Sequence, residues 1–342
     1  MSNSHLKMVE KHAETITEDE AALYDRQIRL WGLDAQKRLR TSRILVAGVC
    51  GMGAEVAKNL VLSGVKSLTL LDHRTITEIE TCSNFLVPHD ALGKNIAEAS
   101  RERAQILNPM VEVSSDTSNI DDKTDEYFTK FDVVCVSRCR REQLLRINNI
   151  CRKNKILFFA GDVFGMIGYM FTDLKDHQYV EEVKKRKEIE QDGKKQTVEE
   201  TKMVKHTETF VPLSQALDVD WSSKKYASQL KRTSPAYFIM HIILEFISLH
   251  GRLPDPTRRS EDEVELLTIK NALLEKMGVP QEKVNNQFAG LVFGQVSPVC
   301  AIVGGVLAQE IIKAVSQKDP PHNNFFFFTT LDGAGVVECI GH

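Results

Sequence analysis

The sequence predicts an α/β protein, a doubly wound and mostly parallel sheet with helices on both faces and a helical insertion. Three observations carry this. Short apolar runs recur along the first half of the chain with stretches of helical spacing between them. The run Ile44–Val49 leads straight into Gly48, Gly51 and Gly53 and then into a helical pattern. The next run, Leu68–Leu71, ends on Asp72. Such runs are typical of strands covered on both faces, and strands that alternate with helices form parallel sheets.

In chain order, residues 1–18 are polar and read as a disordered tail. Thr17 followed by three acids marks a helix start that should run through Tyr24. Residues 19–172 form the main doubly wound fold. Its strands are predicted at 44–49, 68–72, 111–113, 131–137 and 156–160, and its helices at 54–62, 93–107 and 142–151. The rhythm breaks in 173–290, an insertion with two helical patterns at 234–249 and 261–277, joined by a Pro-rich link. Within it, 181–206 mixes both charge signs with few large apolar residues and reads as a mobile loop. Lys184–Lys187 within that stretch is either an import signal or solvated surface. Residues 291–342 return to the main fold through a helix at 299–315 and strands at 325–328 and 336–340. Four adjacent phenylalanines, Phe325–Phe328, must be covered on both faces.

The chain has 342 residues, 42% hydrophobic content and a formal charge of −3, so it belongs to the ordinary globular class. That charge gives no reason to expect nucleic-acid or membrane binding. Seven scattered cysteines suit reduced, mostly buried thiols, and none forms a zinc-type pair. No signal peptide and no apolar run long enough to span a bilayer are read, which points to a soluble intracellular protein.

The glycine turn after Ile44–Val49 has the form of a phosphate-binding loop, in which small residues let phosphates approach the backbone and the positive end of a helix. Cys50 puts a side chain into that turn. The competing reading is a packing turn that meets no ligand.

Five segments extend the pattern: Tyr24–Gly32 (YDRQIRLWG), Gly48–Glu55, Leu70–Asp72, Arg101–Pro109 and Ser297–Glu310. In order and spacing, over about residues 20–342, they resemble the adenylation fold of the ubiquitin-like-protein activating enzymes, the E1 enzymes. This is a Rossmann-like fold shared with ThiF and MoeB. Phe159–Gly165, Asp220–Ser223 and Asp319–Phe328 look like the SUMO-activating branch in particular. The family pairs an active with a degenerate half, and this chain is similar to the degenerate one. Cys50 replaces a turn glycine, Ser83 stands where an arginine is expected, Ile96 where a lysine is, and Cys139 where a magnesium-binding aspartate is. A thiol flanked by Arg138 and Arg140 is no ligand for magnesium.

The resemblance implies no cofactor site in this chain, with Gly48, Gly51, Gly53 and Asp72 a vestige, and no bound metal. ATP and Mg²⁺ are expected mainly on a large catalytic partner subunit, with SUMO as substrate and a nuclear, or also cytoplasmic, location. Arg26 is the one charged element kept. In the family its counterpart reaches across the dimer to the phosphates of the other half, the logic of an arginine finger. The alternative is a surface ion pair with Asp25 or Asp19. None of the cysteines matches the family's thioester motif; Cys300 is expected to pack, and Gly304–Gly305 to admit a second helix at the dimer interface. Other readings left open are a NEDD8-type small subunit, a homodimeric MoeB/ThiF-like adenylyltransferase, a dinucleotide oxidoreductase and a non-enzymatic scaffold.

Overall fold

The computed structural model describes residues 16–191, 194–331 and 333–342, the side chains of 184–200 excepted. Most of the expected tail over 1–18, and the side chains of Lys184–Lys187, lie outside the described residues.

Three short helices open the chain: α1 (Glu18–Leu23), α2 (Asp25–Trp31) and α3 (Leu33–Thr41). Thr17 caps α1 as expected, its hydroxyl accepting from the Glu20 N–H while the Glu20 carboxylate accepts from the Thr17 N–H. The wound part follows as β1 (Arg43–Ala47), α4 (Gly51–Ser63), β2 (Ser67–Leu71), α5 (Glu78–Ser83), α6 (Ile96–Leu107), β3 (Glu112–Asp116), α7 (Asp125–Phe128), β4 (Val133–Val136), α8 (Arg141–Asn154), β5 (Leu157–Phe164) and β6 (Ile167–Asp173). Later come β7 (Asp176–Gln191), β8 (Lys194–Thr209), α9 (Leu213–Leu217), α10 (Ala227–Arg232), α11 (Pro235–His250), α12 (Arg259–Lys276), α13 (Ser297–Ser316), β9 (Phe325–Thr329) and β10 (Ala334–Glu338).

Eight strands form one sheet in the order β10-β9-β6-β5-β4-β1-β2-β3. From β3 to β5 all neighbours are parallel; β6, β9 and β10 are added antiparallel. The α4, α6 and α13 side chains make one core on one face, and those of α8, α11 and α12 make another on the opposite face. Phe325–Phe328 are all buried, with Phe325 and Phe327 meeting Tyr237 of α11 at 5.8 and 6.2 Å between ring centres. The helices of the insertion therefore pack onto the same sheet as the rest.

Two expectations are corrected. Residues expected as a loop over 181–206 pair as the long ribbon β7–β8. Its root is stitched to the body, with the Val180 N–H donating to Gln317 O (3.0 Å) and the Asp319 N–H to Val180 O (3.1 Å). Backbone pairing needs no apolar periodicity, so a reading built on apolar residues passes over it. The second correction concerns α13, which by length and composition is apolar enough to cross a bilayer. In the fold 67% of it is buried, against α4, β5 and β6, and this core position accounts for its composition.

His241 of α11 is buried against the Tyr237 ring, and burial with the nearby Arg141 pushes its pKa down to about 3. The unfolded chain, with an ordinary imidazole near 6.5, takes up the proton first. Stability from this group is complete above the unfolded value and is lost as pH falls from there toward the folded one, by about 1.4 kcal/mol per pH unit. Urea midpoints at pH 7 and pH 5 should therefore fall less steeply in His241→Gln than in the parent; equal slopes would refute the assignment.

Candidate functional site

The glycine turn lies at the carboxyl ends of β1 and β4, where the sheet order reverses and ligands bind in folds of this type. Gly48 has φ +88°, and a Cβ there would strike the Ser137 backbone and hydroxyl. A Cβ on Gly53 would collide with the Gly48 carbonyl. Gly51 and Gly53 belong to the first turn of α4, so the helix starts three residues before the sequence suggests. These glycines serve contacts inside the chain.

One donor that a phosphate would meet at this helix start is already engaged. The Gly51 N–H at the start of α4 donates to Gln295 Oε1 at 2.9 Å. Gln295 Nε2 in turn lies 3.4 Å from the Val163 carbonyl. Cys50 is fully buried with its Sγ 3.4 Å from Ser137 Oγ, and Ser137 Oγ donates to the Gly48 carbonyl at 2.7 Å. Asn84 Nδ2 donates to the Val49 carbonyl at 2.8 Å.

Asp72 is spent in the same way. Its carboxylate accepts from the Val49 N–H (2.8 Å), the Arg74 N–H (3.0 Å) and the Arg74 guanidinium at Nε (3.0 Å) and Nη2 (2.6 Å). Burial pushes the Asp72 pKa up, but the Arg74 charge and these donors outweigh it and hold the carboxyl below its usual range. A second pair sits beside it: the Arg138 N–H donates to Asp162 Oδ2 at 3.0 Å, and the Arg138 guanidinium lies 3.9 Å from Asp162 Oδ1. Burial raises the Asp162 pKa in spite of that arginine. Arg74 is thus spent on Asp72, whereas Arg138 lies near Asp162 with its buried Nε lacking a hydrogen-bond partner.

The residues present do not fit a nucleoside triphosphate or its metal. Ser83 is largely buried, its hydroxyl donating to the Ile79 carbonyl at 3.0 Å, and Ile96 is buried. Cys139 is buried too, its thiol pushed up to about 12 by burial. Burial likewise raises the thiols of Cys135, Cys151 and Cys300, which marks them as packing groups. Removing the plug tests this arrangement. Gln295→Ala strands the Gly51 N–H and should cost about 1–3 kcal/mol in urea unfolding; an unchanged midpoint would show the amide is not needed there.

Arg26 lies elsewhere. It is exposed on α2, and among the described residues it has no hydrogen bond or ion pair. The ion pair weighed for it belongs to Arg29, which meets Asp25 at 3.0 Å. The helix that carries it is held firmly: the Tyr24 ring covers Gly64, Asn108 Nδ2 donates to Tyr24 Oη at 2.8 Å, and Gln27 Nε2 donates to the Leu62 carbonyl at 3.1 Å. Gly304 admits α4, since a Cβ there would come within 2.7 Å of Glu55 Cβ; Gly305 faces open space. Of the residues singled out from sequence, the structure brings Gly48, Gly51, Gly53, Cys50 and Asp72 together and leaves Arg26 apart. Sequence reasoning missed Gln295, Arg74 and Asp162 as the groups that close the loop.

The ThiF family profile matches residues 24–338. The chain is 50% identical to SUMO-activating enzyme subunit 1 of Xenopus tropicalis over 98% of its own length and 99% of that protein. It is 51% identical to the protein of that name from Danio rerio, over 96% and 97% of the two chains, and 49% identical to the one from Homo sapiens, over 95% and 96%. With its parallel sheet, its glycine turn and a match over nearly its whole length, the chain belongs to the ThiF family and groups with the SUMO-activating enzyme subunit 1 proteins.

Proposed function

We propose that this chain is the non-catalytic subunit of a heterodimeric SUMO E1. Together with SUMO-activating enzyme subunit 2, the heterodimer adenylates the SUMO C-terminus with Mg-ATP and passes it to a thioester on the partner, in the nucleus. The observation that carries this reading is the filled loop, in which Gln295 and the Asp72–Arg74 pair occupy the donors and charge a nucleotide would use. The nucleotide and metal belong on this reading to the partner. Arg26 supplies positive charge in trans from an anchored helix.

An apolar surface beside Arg26 supports an obligate partner. Leu30 and Leu62 are 66% and 44% exposed, and Trp31, Leu62 and Gly305 line a recess of about 220 Å³ on that side. Such a face is the signature of an interface. The test is to purify the chain alone, the large subunit alone and the co-expressed pair. ATP–pyrophosphate exchange and SUMO thioester formation should appear with the pair and be absent with this chain alone. Exchange by this chain alone would restore the homodimeric adenylyltransferase reading.

A further inference from the structure

A cleft of about 650 Å³ opens between α11, α12 and the loop 217–222, on the sheet face opposite the glycine turn. Its volume is in the range of ligand sites, about 300–1,000 Å³. Apolar side chains remain uncovered along it: Leu249 is 61% exposed, and Leu273 and Met277 are only partly buried.

The charges around it are unbalanced. Four carboxylates, Asp218, Asp220, Glu245 and Glu265, line the cleft against two cations, Arg141 and Lys276. Arg141 is engaged with Asp218, Asp220 accepts from Ser222, and Glu265 faces His250 at 3.6 Å. Glu245 is exposed and has no hydrogen bond or ion pair among the described residues. His241 stands on the same side of α11 one turn before it, and Leu249 one turn after.

We propose that this cleft docks a short segment of a protein partner that carries a lysine or arginine between apolar side chains. Apolar groups cover Leu249, Leu273 and Met277, and the cation meets Glu245. An acidic segment is disfavoured by the excess of carboxylates, and a purely polar one leaves the apolar wall uncovered. The site is separate from the glycine turn and from Arg26, so it stands or falls independently of the adenylation reading.

The test titrates this chain, both by itself and co-expressed with the large subunit, with two fluorescein-labelled helical peptides of about a dozen residues. They share their leucines and differ in carrying lysines or glutamates. Fluorescence anisotropy should show saturable binding of the lysine peptide only. Affinity should fall about tenfold in Glu245→Lys and by a smaller factor in Glu245→Gln. Because Glu245 is exposed, both variants should keep the parent's urea midpoint. Equal binding of both peptides, no binding, or an unchanged affinity in Glu245→Lys overturns the proposal. So does full displacement of the peptide by butylamine, which marks a small-cation site, or sedimentation as a larger assembly that Glu245→Lys disperses, which marks a second copy as occupant.

Discussion

Arg26→Ala is expected to slow adenylation by the assembled heterodimer about 10²–10³-fold, the cost of removing one pre-placed charged donor from a transition state. Assembly should survive, because Arg26 is exposed and the helix that bears it is held by Tyr24, Asn108 and Gln27. Arg26→Lys should recover only part of the rate, since a point charge lacks the guanidinium fork. Thioester formation at saturating ATP, with gel filtration to verify the pair, reads both effects. Arg29 is an internal control: it already pairs with Asp25, so Arg29→Ala should change the rate far less. A full rate in Arg26→Ala would leave this chain a scaffold.

Asp72→Asn is expected to lower stability by about 3 kcal/mol in urea unfolding, the low end for breaking a buried pair, because Arg74 keeps some contact with solvent. The asparagine NH2 would turn its hydrogens toward either the Val49 or the Arg74 N–H, each of which now donates to a different carboxylate oxygen. Replacing both partners, Asp72→Leu with Arg74→Met, should recover much of the loss, and a double-mutant cycle measures the coupling. The sign with pH follows from the lowered carboxyl. Its stabilisation is present above the unfolded aspartate value and lost as pH falls through the folded one, so the gap between parent and Asp72→Asn should close in acid. A gap that stays constant down to pH 2 would rule out the charge pair as its source.

Much of this fold is legible from residue pattern. The strands around Ile44, Leu68 and Val133 are short apolar runs in the middle of a covered sheet, where burial on both faces leaves an unmistakable composition. Thr17 and Glu20 announce their helix through a local capping box. The ribbon β7–β8 escaped because its order rests on backbone pairing and not on an apolar face. The departures at Cys50, Ser83, Ile96 and Cys139 were visible in the sequence, but the groups that engage the turn were not. Gln295 lies 244 positions from the N–H it accepts from, and no local pattern reports a contact of that reach. Arg74 is close to Asp72 in sequence, yet only the buried geometry shows that it consumes the acid.

The Gln295 amide has a consequence for how this chain is governed. A protein whose phosphate loop waits for a nucleotide has a folded state that strengthens as the nucleotide rises, by mass action. Here the Gly51 N–H at the helix start is satisfied by a tethered side chain at fixed effective concentration, so this donor needs no nucleotide to be paired in the folded state. On the proposed reading, the energy charge of the cell would then reach this chain only through the partner that binds the nucleotide.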